Sequence, residues 1–189
     1  MAPTAKKLAT VEDLLSIPEE KRVELMDGEI IYHGQPLQRH GASQGNLGAI
    51  LNPFARRDGG SGGPGGWWIV VEAGVRYGIH TACRHDLAGW RRGRLPELLD
   101  EEYVSVTPDW VCEILSPSNR KHDLVRKKAI LHRAKTPHYW IVDPEEKTVS
   151  VLRWHEDGYL SVSDAGVGDK ARLEPFEAIE IDVSALFGE

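Results

Sequence analysis

The chain has 189 residues and a net charge of −6, a length that suits one domain with a hydrophobic core. Its composition is 41% hydrophobic and 28% charged, as in soluble globular proteins. The negative charge argues against a protein that coats DNA through a basic surface. It does not exclude a nuclease, because an acidic metal site adds negative charge itself.

The two cysteines, Cys83 and Cys112, are too few for a cysteine-rich metal site, and we expect both to be reduced. The chain lacks an apolar run of about 18 residues and the apolar centre of a signal peptide. We therefore expect a cytoplasmic protein with a flexible N-terminal tail over residues 1–9 and a single domain over residues 10–189.

The first elements are a short helix and a hairpin. Residues 11–16 form the predicted helix, with Thr10 as its cap and Asp13 near the N3 position. Residues 22–26 and 29–32 alternate as strands around the turn signal Asp27-Gly28. The alternation places Glu24 on the face opposite Val23 and Leu25. A weak helical pattern covers residues 40–54.

The middle of the chain predicts strands separated by loops. A glycine-rich run at 59–66 lacks the Gly-Lys-Ser/Thr ending of a phosphate loop and is interpreted as a flexible loop. Strands are expected at 67–71, at 75–77 after a break at Ala73-Gly74, and at 84–90. A basic cluster and an acidic loop at 95–106 follow.

Residues 110–115 form a short apolar run typical of a buried strand, interrupted by one carboxylate, Glu113. A buried charge is costly unless it is paired or bound to a metal. The turn at 116–119 leads into a predicted helix at 123–134, which carries Asp123 and Lys127 on one face. A strand at 139–143 and a hairpin over 148–162 follow. This order predicts a mixed β-sheet flanked by helices, in the α/β or α+β class.

Acidic residues on strands are the candidate metal ligands. Asp86 and Glu113 are the main candidates, with Glu24, Glu72 and Asp109 less secure; each could equally be a paired structural charge. Mg²⁺ prefers oxygen ligands and can activate water for attack on phosphorus. Asp109 and Glu113 share one strand but lie about 13 Å apart, so Asp109 is interpreted as a strand-entry residue.

Two common kinds of hydrolase are disfavoured by the absence of their motifs. No His-Glu-x-x-His pair is present among the eight histidines. Ser116 lacks the glycines of a nucleophile elbow. A serine hydrolase and a histidine-based zinc protease are therefore not expected.

Several motifs together resemble a known family. They are E-L-M-D-G-E (24–29), H-D-L-A-G-W-R-R-G-R-L-P (85–96), P-D-W-V-C-E-I-L-S-P-S (108–118), D-L-V-R-K (123–127) and H-Y-W-I-V-D-P (138–144). In combination they look like the Uma-type family of putative restriction endonucleases, within the PD-(D/E)xK nuclease superfamily. The resemblance runs from about residue 10 to about residue 165.

The resemblance implies a restriction-endonuclease-like core that hydrolyses phosphodiester bonds of DNA with Mg²⁺ or Mn²⁺. Asp86 and Glu113 match the metal-binding acids, and Glu24 matches a further acid that could add a ligand. Residue 85 is His where the pattern has Pro. Residue 115 is Leu where the pattern has Lys, and Lys127 matches the position to which the family is thought to move the lysine.

Possible phosphate contacts are the basic residues Arg91, Arg92, Arg94, Arg120 and Lys121, for which an ordinary solvated surface is the alternative. Two other interpretations stay open: a catalytically weak or inactive nucleic-acid-binding or accessory protein on the same fold, and a hydrolase of small molecules. Because many nucleases that cut duplexes are symmetric, we expect a homodimer, with the 148–162 hairpin as one candidate interface.

Overall fold

An eight-stranded mixed sheet lies at the centre of the molecule. The structure is a computed structural model that describes residues 7–56, 64–117 and 120–189. Most of the expected tail at 1–9 and of the expected loop at 59–66 lies outside these ranges, as do Ser118 and Asn119 of the predicted turn.

The helices are α1 (Val11–Leu15), α2 (Gln38–Leu51), α3 (Lys128–Arg133) and α4 (Val183–Leu186). Short 3-10 turns occur at Glu19–Lys21 and Asn52–Ala55, and a π-helix at His122–Lys127 runs directly into α3. The strands are β1 (Val23–Met26), β2 (Glu29–Tyr32), β3 (Trp67–Gly78), β4 (Thr81–Arg91), β5 (Trp110–Ile114), β6 (His138–Asp143), β7 (Thr148–Arg153), β8 (Leu160–Gly166), β9 (Lys170–Ala171) and β10 (Ile181–Asp182). The predicted class, a mixed α+β sheet flanked by helices, is confirmed.

Local sequence explains the first elements. The Thr10 hydroxyl accepts a hydrogen bond from the Asp13 amide, and the Asp13 carboxylate accepts one from the Thr10 amide, which completes the predicted capping box. Asp27 and Gly28 have φ angles of 52° and 81°, the left-handed conformation that a two-residue hairpin turn requires. The predicted β1–β2 hairpin is confirmed.

The predicted break at Ala73-Gly74 is wrong, because β3 continues through it and pairs with β4 from Trp67 to Gly78. Gly74 instead allows another segment to approach. A Cβ atom there would lie 2.0 Å from the Glu102 carbonyl oxygen, and the Val104 amide donates to the Gly74 carbonyl. A glycine in a strand therefore marks close contact with the acidic loop here.

Strand β4 has two neighbours along one of its edges. Strand β3 covers the other edge over its whole length. On the shared edge, β1 pairs with Ala82, whereas β5 pairs with Leu87, Ala88 and Gly89. Residues 83–86 therefore face a gap between β1 and β5, where side chains replace backbone ladder bonds.

The C-terminal segment covers one side of the core. Phe176 packs against Trp110 and Trp140 with ring centroids 5.0 and 5.7 Å apart, and such aromatic contacts stabilise beyond their buried area. Cys83 and Cys112 are buried free thiols, as predicted. Among the described residues, none of the helices is long and apolar enough to cross a membrane.

Candidate active site

A pocket of about 350 Å³ opens at the gap in the sheet. Its lining includes all four of the acids and bases expected to carry metal binding and catalysis: Glu24, Asp86, Glu113 and Lys127. They come from β1, β4, β5 and the π-helix. The fold thus brings together residues that are separated by up to a hundred positions in the chain.

Asp86 joins the two strands that diverge at the gap. Its Oδ2 accepts a hydrogen bond of 2.6 Å from the Ile114 amide, in place of a ladder bond between β4 and β5. Its Oδ1 lies 3.1 Å from Nε2 of His40 on α2. The carboxylate is therefore fixed in position while it still lines the pocket.

Glu113 is almost completely buried, with 2% of its side chain exposed. Its Oε1 accepts hydrogen bonds from His85 Nδ1 at 2.5 Å and from Lys127 Nζ at 3.0 Å. Among the described residues, Oε2 makes no hydrogen bond or ion pair. Burial raises the pKa of Glu113 well above its usual value, against the opposing effect of Lys127, and Asp86 and Glu24 raise it further. A further cation would stabilise the ionised carboxylate.

Tyr77 and His85 fix the orientation of Glu113. Burial raises the pKa of Tyr77 well above 10, so its hydroxyl is protonated, and burial together with Lys127 lowers the pKa of His85 to about 3, so the ring is neutral. The Tyr77 hydroxyl therefore donates to His85 Nε2 at 2.7 Å, which leaves the Nδ1 hydrogen for Glu113. Sequence reasoning missed this relay, although a histidine beside Asp86 on an apolar strand was a signal.

Lys127 is held by four oxygen atoms. Its Nζ lies 3.1 Å from the Arg84 carbonyl, and its carboxylate partners are Glu24 at 3.1 Å, Glu113 at 3.0 Å and Asp123 at 3.5 Å. Burial alone would lower the pKa of Lys127, but these carboxylates raise it well above its usual value. The raised pKa favours the protonated ammonium, which supplies positive charge beside Glu113.

An α-helix was predicted over 123–134, but His122–Lys127 form a π-helix. The π-helix still places Asp123 and Lys127 on one side, as predicted. Burial raises the pKa of Asp123 to about 8. A π-helical turn is rare and frequently occurs at functional sites. Here its buried residues are the two that face the other carboxylates.

Both oxygen atoms of Glu24 are engaged. Oε1 accepts a hydrogen bond of 2.7 Å from the Arg84 amide and also contacts Lys127, whereas Oε2 lies 2.6 Å from His33 Nε2. Burial would raise the pKa of Glu24, but Lys127 and His33 lower it to about 2. Glu24 is thus ionised and directed towards Lys127. Its neighbour His33 was another residue that the sequence analysis missed.

The three arginines after β4 make intramolecular contacts. Arg92 stacks on Trp68, 3.3 Å from the ring centroid, and donates to the carbonyls of Trp67 and Ala55. Arg94 pairs with Asp109 at 2.6 Å. Arg91 lies over the Trp67 ring. Arg91 is five residues from Asp86 along β4, so these two residues lie about 17 Å apart. These contacts stabilise the end of β4 and lie away from the pocket.

Asp109 has the strand-entry role expected of it, since it accepts hydrogen bonds from the Arg91 amide and from Arg94. Arg120 pairs with Asp143 at 2.7 Å, and Lys121 is exposed directly before the π-helix. Arg120 and Lys121 therefore lie nearer to the π-helix that carries Lys127 than the other basic candidates do.

A compact trio of possible metal ligands occurs elsewhere. Among the described residues, only His155, Glu156 and Asp157 bring three ligand atoms within 4.8 Å of one another. This trio is exposed on the turn between β7 and β8. At the pocket, Asp86 and Glu113 would have to be supplemented by water or substrate oxygens, as is usual for Mg²⁺.

The fold is a mixed sheet with an acidic pocket at its gap, and comparisons with known proteins identify the family of the chain. A family model described as "Putative restriction endonuclease" (Uma2) matches residues 10–184. The chain belongs to this family, as the sequence motifs predicted, and the match supports a nuclease function. Members of restriction-endonuclease-like families generally use divalent metal ions and act on nucleic acid.

A solved structure supports the fold. A crystal structure from Anabaena variabilis, described as a putative nuclease belonging to DUF820, matches with a TM-score of 0.75 and 21% sequence identity. The match covers 94% of this chain and 97% of that chain. A comparison with curated proteins finds no significant match.

Proposed function

We propose that the protein is an endonuclease that hydrolyses phosphodiester bonds of DNA with the help of Mg²⁺ or Mn²⁺. The observation that carries the proposal is the pairing of two carboxylates, Asp86 and Glu113, on adjacent strands in one pocket. Lys127, whose pKa is raised by the surrounding carboxylates, lies 3.0 Å from Glu113. Acids on neighbouring strands with a nearby lysine are the parts that metal-assisted phosphodiester hydrolysis needs.

The residues present fit a hard divalent cation. Asp86 and Glu113 offer carboxylate oxygens, and Oε2 of Glu113 has no other described partner. Burial raises the pKa of Glu113, and a cation beside it would favour the ionised carboxylate. When bound, the ion would supply Lewis acidity and a water of lowered pKa at the phosphorus.

Lys127 and Glu24 would act around that ion in different ways. Lys127 partly offsets the effect of burial on Glu113 and adds positive charge where the phosphate gains negative charge. Glu24 holds Lys127 through Oε1 and is itself fixed by the Arg84 amide. We therefore propose positioning as its main role, while a metal-ligand role for Glu24 remains a prediction.

We propose Arg120 and Lys121 as the basic residues that contact DNA phosphates. Both lie at the start of the segment that leads to Lys127. Arg91, Arg92 and Arg94 are proposed as weaker contributors, because they lie at or beyond the end of β4 and do not line the pocket that holds Asp86 and Glu113. A homodimer stays a prediction, and light scattering that gives the mass of one chain at assay concentration would contradict it.

The test is cleavage of plasmid, single-stranded DNA and RNA with Mg²⁺ or Mn²⁺. We expect cleavage of DNA by the parent and its loss in Asp86→Asn and in Glu113→Gln, while the control Asp157→Asn stays active. Binding of DNA without cleavage by the parent on any substrate would favour an inactive accessory protein. Cleavage that survives both acid changes would refute the assigned site.

A further inference from the structure

A second pocket of about 160 Å³ is lined by His40 and is separate from the pocket that holds Asp86 and Glu113. Its lining includes two arginines, Arg39 and Arg120, and the start of α2. His40 lines this pocket, while its Nε2 lies 3.1 Å from Asp86, which lines the first pocket. The His40 ring and the Asp86 carboxylate therefore connect the linings of the two pockets.

The first backbone amides of α2 precede its first intrahelical hydrogen bond. Leu37, the N-cap residue, provides no side-chain cap. The Gly41 amide is the first to bond back to a helix carbonyl, that of Leu37 at 3.2 Å, so the amides of residues 38–40 have no acceptor within the helix. Such a helix end attracts anions.

His40 supplies an independent sign of a missing ligand. Its side chain is only 6% exposed. Its Nδ1 is buried and has no hydrogen-bond partner among the described residues. A buried polar atom without a partner is costly, and the residue that carries it lines the second pocket.

The charges in the second pocket favour an anion despite its two acids. Both oxygens of Asp143 are already used, since Oδ2 pairs with Arg120 and Oδ1 accepts from the Glu145 and Glu146 amides. Asp143 thus holds the Arg120 guanidinium in place. The second acid, Glu145, is exposed and weakens the attraction only partly.

We infer that the second pocket binds a phosphate group of the nucleic acid, the one next to the phosphate that is cleaved. The identification of the ligand as nucleic acid rests on the proposed function. A volume of about 160 Å³ has room for one phosphate and a few waters, each of which takes about 30 Å³. Arginine recognises phosphate through a planar pair of donors.

Inorganic phosphate is the probe for the test, followed by NMR of the metal-free protein. We expect phosphate to shift the amide signals of residues 38–40 and the ring signals of His40 in the parent. Arg120→Gln should weaken this binding about tenfold or more, because it removes a charge-assisted contact. Arg133→Gln, which removes a surface arginine paired with Asp27, is the matched control.

Two further variants keep the test valid if Arg120→Gln unfolds. Arg39→Gln should also weaken phosphate binding, and Glu145→Gln should tighten it. Shifts that are absent in the parent, or unchanged in every variant, would overturn the inference.

The assay detects binding without cleavage, so its outcome is separate from that of the proposed function. A parent that cuts DNA but shows no phosphate shifts refutes only the second pocket. A parent that shows the shifts but cuts nothing refutes the nuclease.

Discussion

Replacement of Lys127 by methionine should be strongly destabilising. The side chain is 5% exposed, and its ammonium is the cation shared by Glu24 and Glu113. Removal of one partner of a buried ion pair costs about 3–5 kcal/mol, because the other charge stays buried without compensation. For a chain of this size we expect a lower melting temperature by about 6–20 °C.

The assay is thermal unfolding in the presence of a chelator, with Lys128→Met as the control in the next helical position. The double variant Lys127→Met/Glu113→Gln should lose about 1–3 kcal/mol less than the two single changes together, because it removes one of the two carboxylates that Lys127→Met leaves without their cation. Mn²⁺ should stabilise Lys127→Met more than the parent. The reasoning would be refuted by a Lys127→Met protein as stable as the Lys128→Met control.

Tyr77, Asp123 and Arg92 each allow a separate test. Tyr77→Phe removes the donor that fixes the His85 ring, so the free energy of unfolding in urea should fall by about 1–2 kcal/mol; an unchanged value would contradict the relay. Burial raises the pKa of Asp123 from 3.8 to about 8, so its stabilising contribution is complete below 3.8 and is lost as the pH rises through about 8. Asp123→Asn should therefore become more stable relative to the parent between about pH 5 and about pH 9, and a constant difference would count against the assignment. Arg92→Ala should lower stability by about 1–3 kcal/mol and should change the salt dependence of DNA binding less than Lys121→Ala, which should reduce the salt slope by about one; an equal reduction in Arg92→Ala would contradict its place as the weaker contact.

The fold followed from local sequence because most elements carry local signals. The Thr10 capping box, the Asp27-Gly28 turn and the apolar run around Glu113 each specify structure within a few residues. The predicted interruption of β3 at Gly74 was wrong, because the glycine does not end the strand. It makes room for the acidic loop, which is distant in sequence. The π-helix was also missed, since its buried ion pairs depend on three strands that the helical pattern does not reveal.

The acids of the site were predictable, but their partners were not. Asp86, Glu113 and Lys127 were found through family motifs, and the structure places them in one pocket. His40 and His85 contact Asp86 and Glu113 only because α2 packs on the sheet and β4 diverges from β5. Neither histidine has a spacing pattern that could indicate such a contact.

Binding of Mn²⁺, followed by electron paramagnetic resonance, tests the central claim most directly. We predict a bound ion in the parent that is lost in Glu113→Gln and retained in Asp157→Asn, with both variants folded by circular dichroism. Retention of the ion in Glu113→Gln together with its loss in Asp157→Asn would place the metal at the exposed turn between β7 and β8. That result would contradict a metal-dependent active site between Asp86 and Glu113.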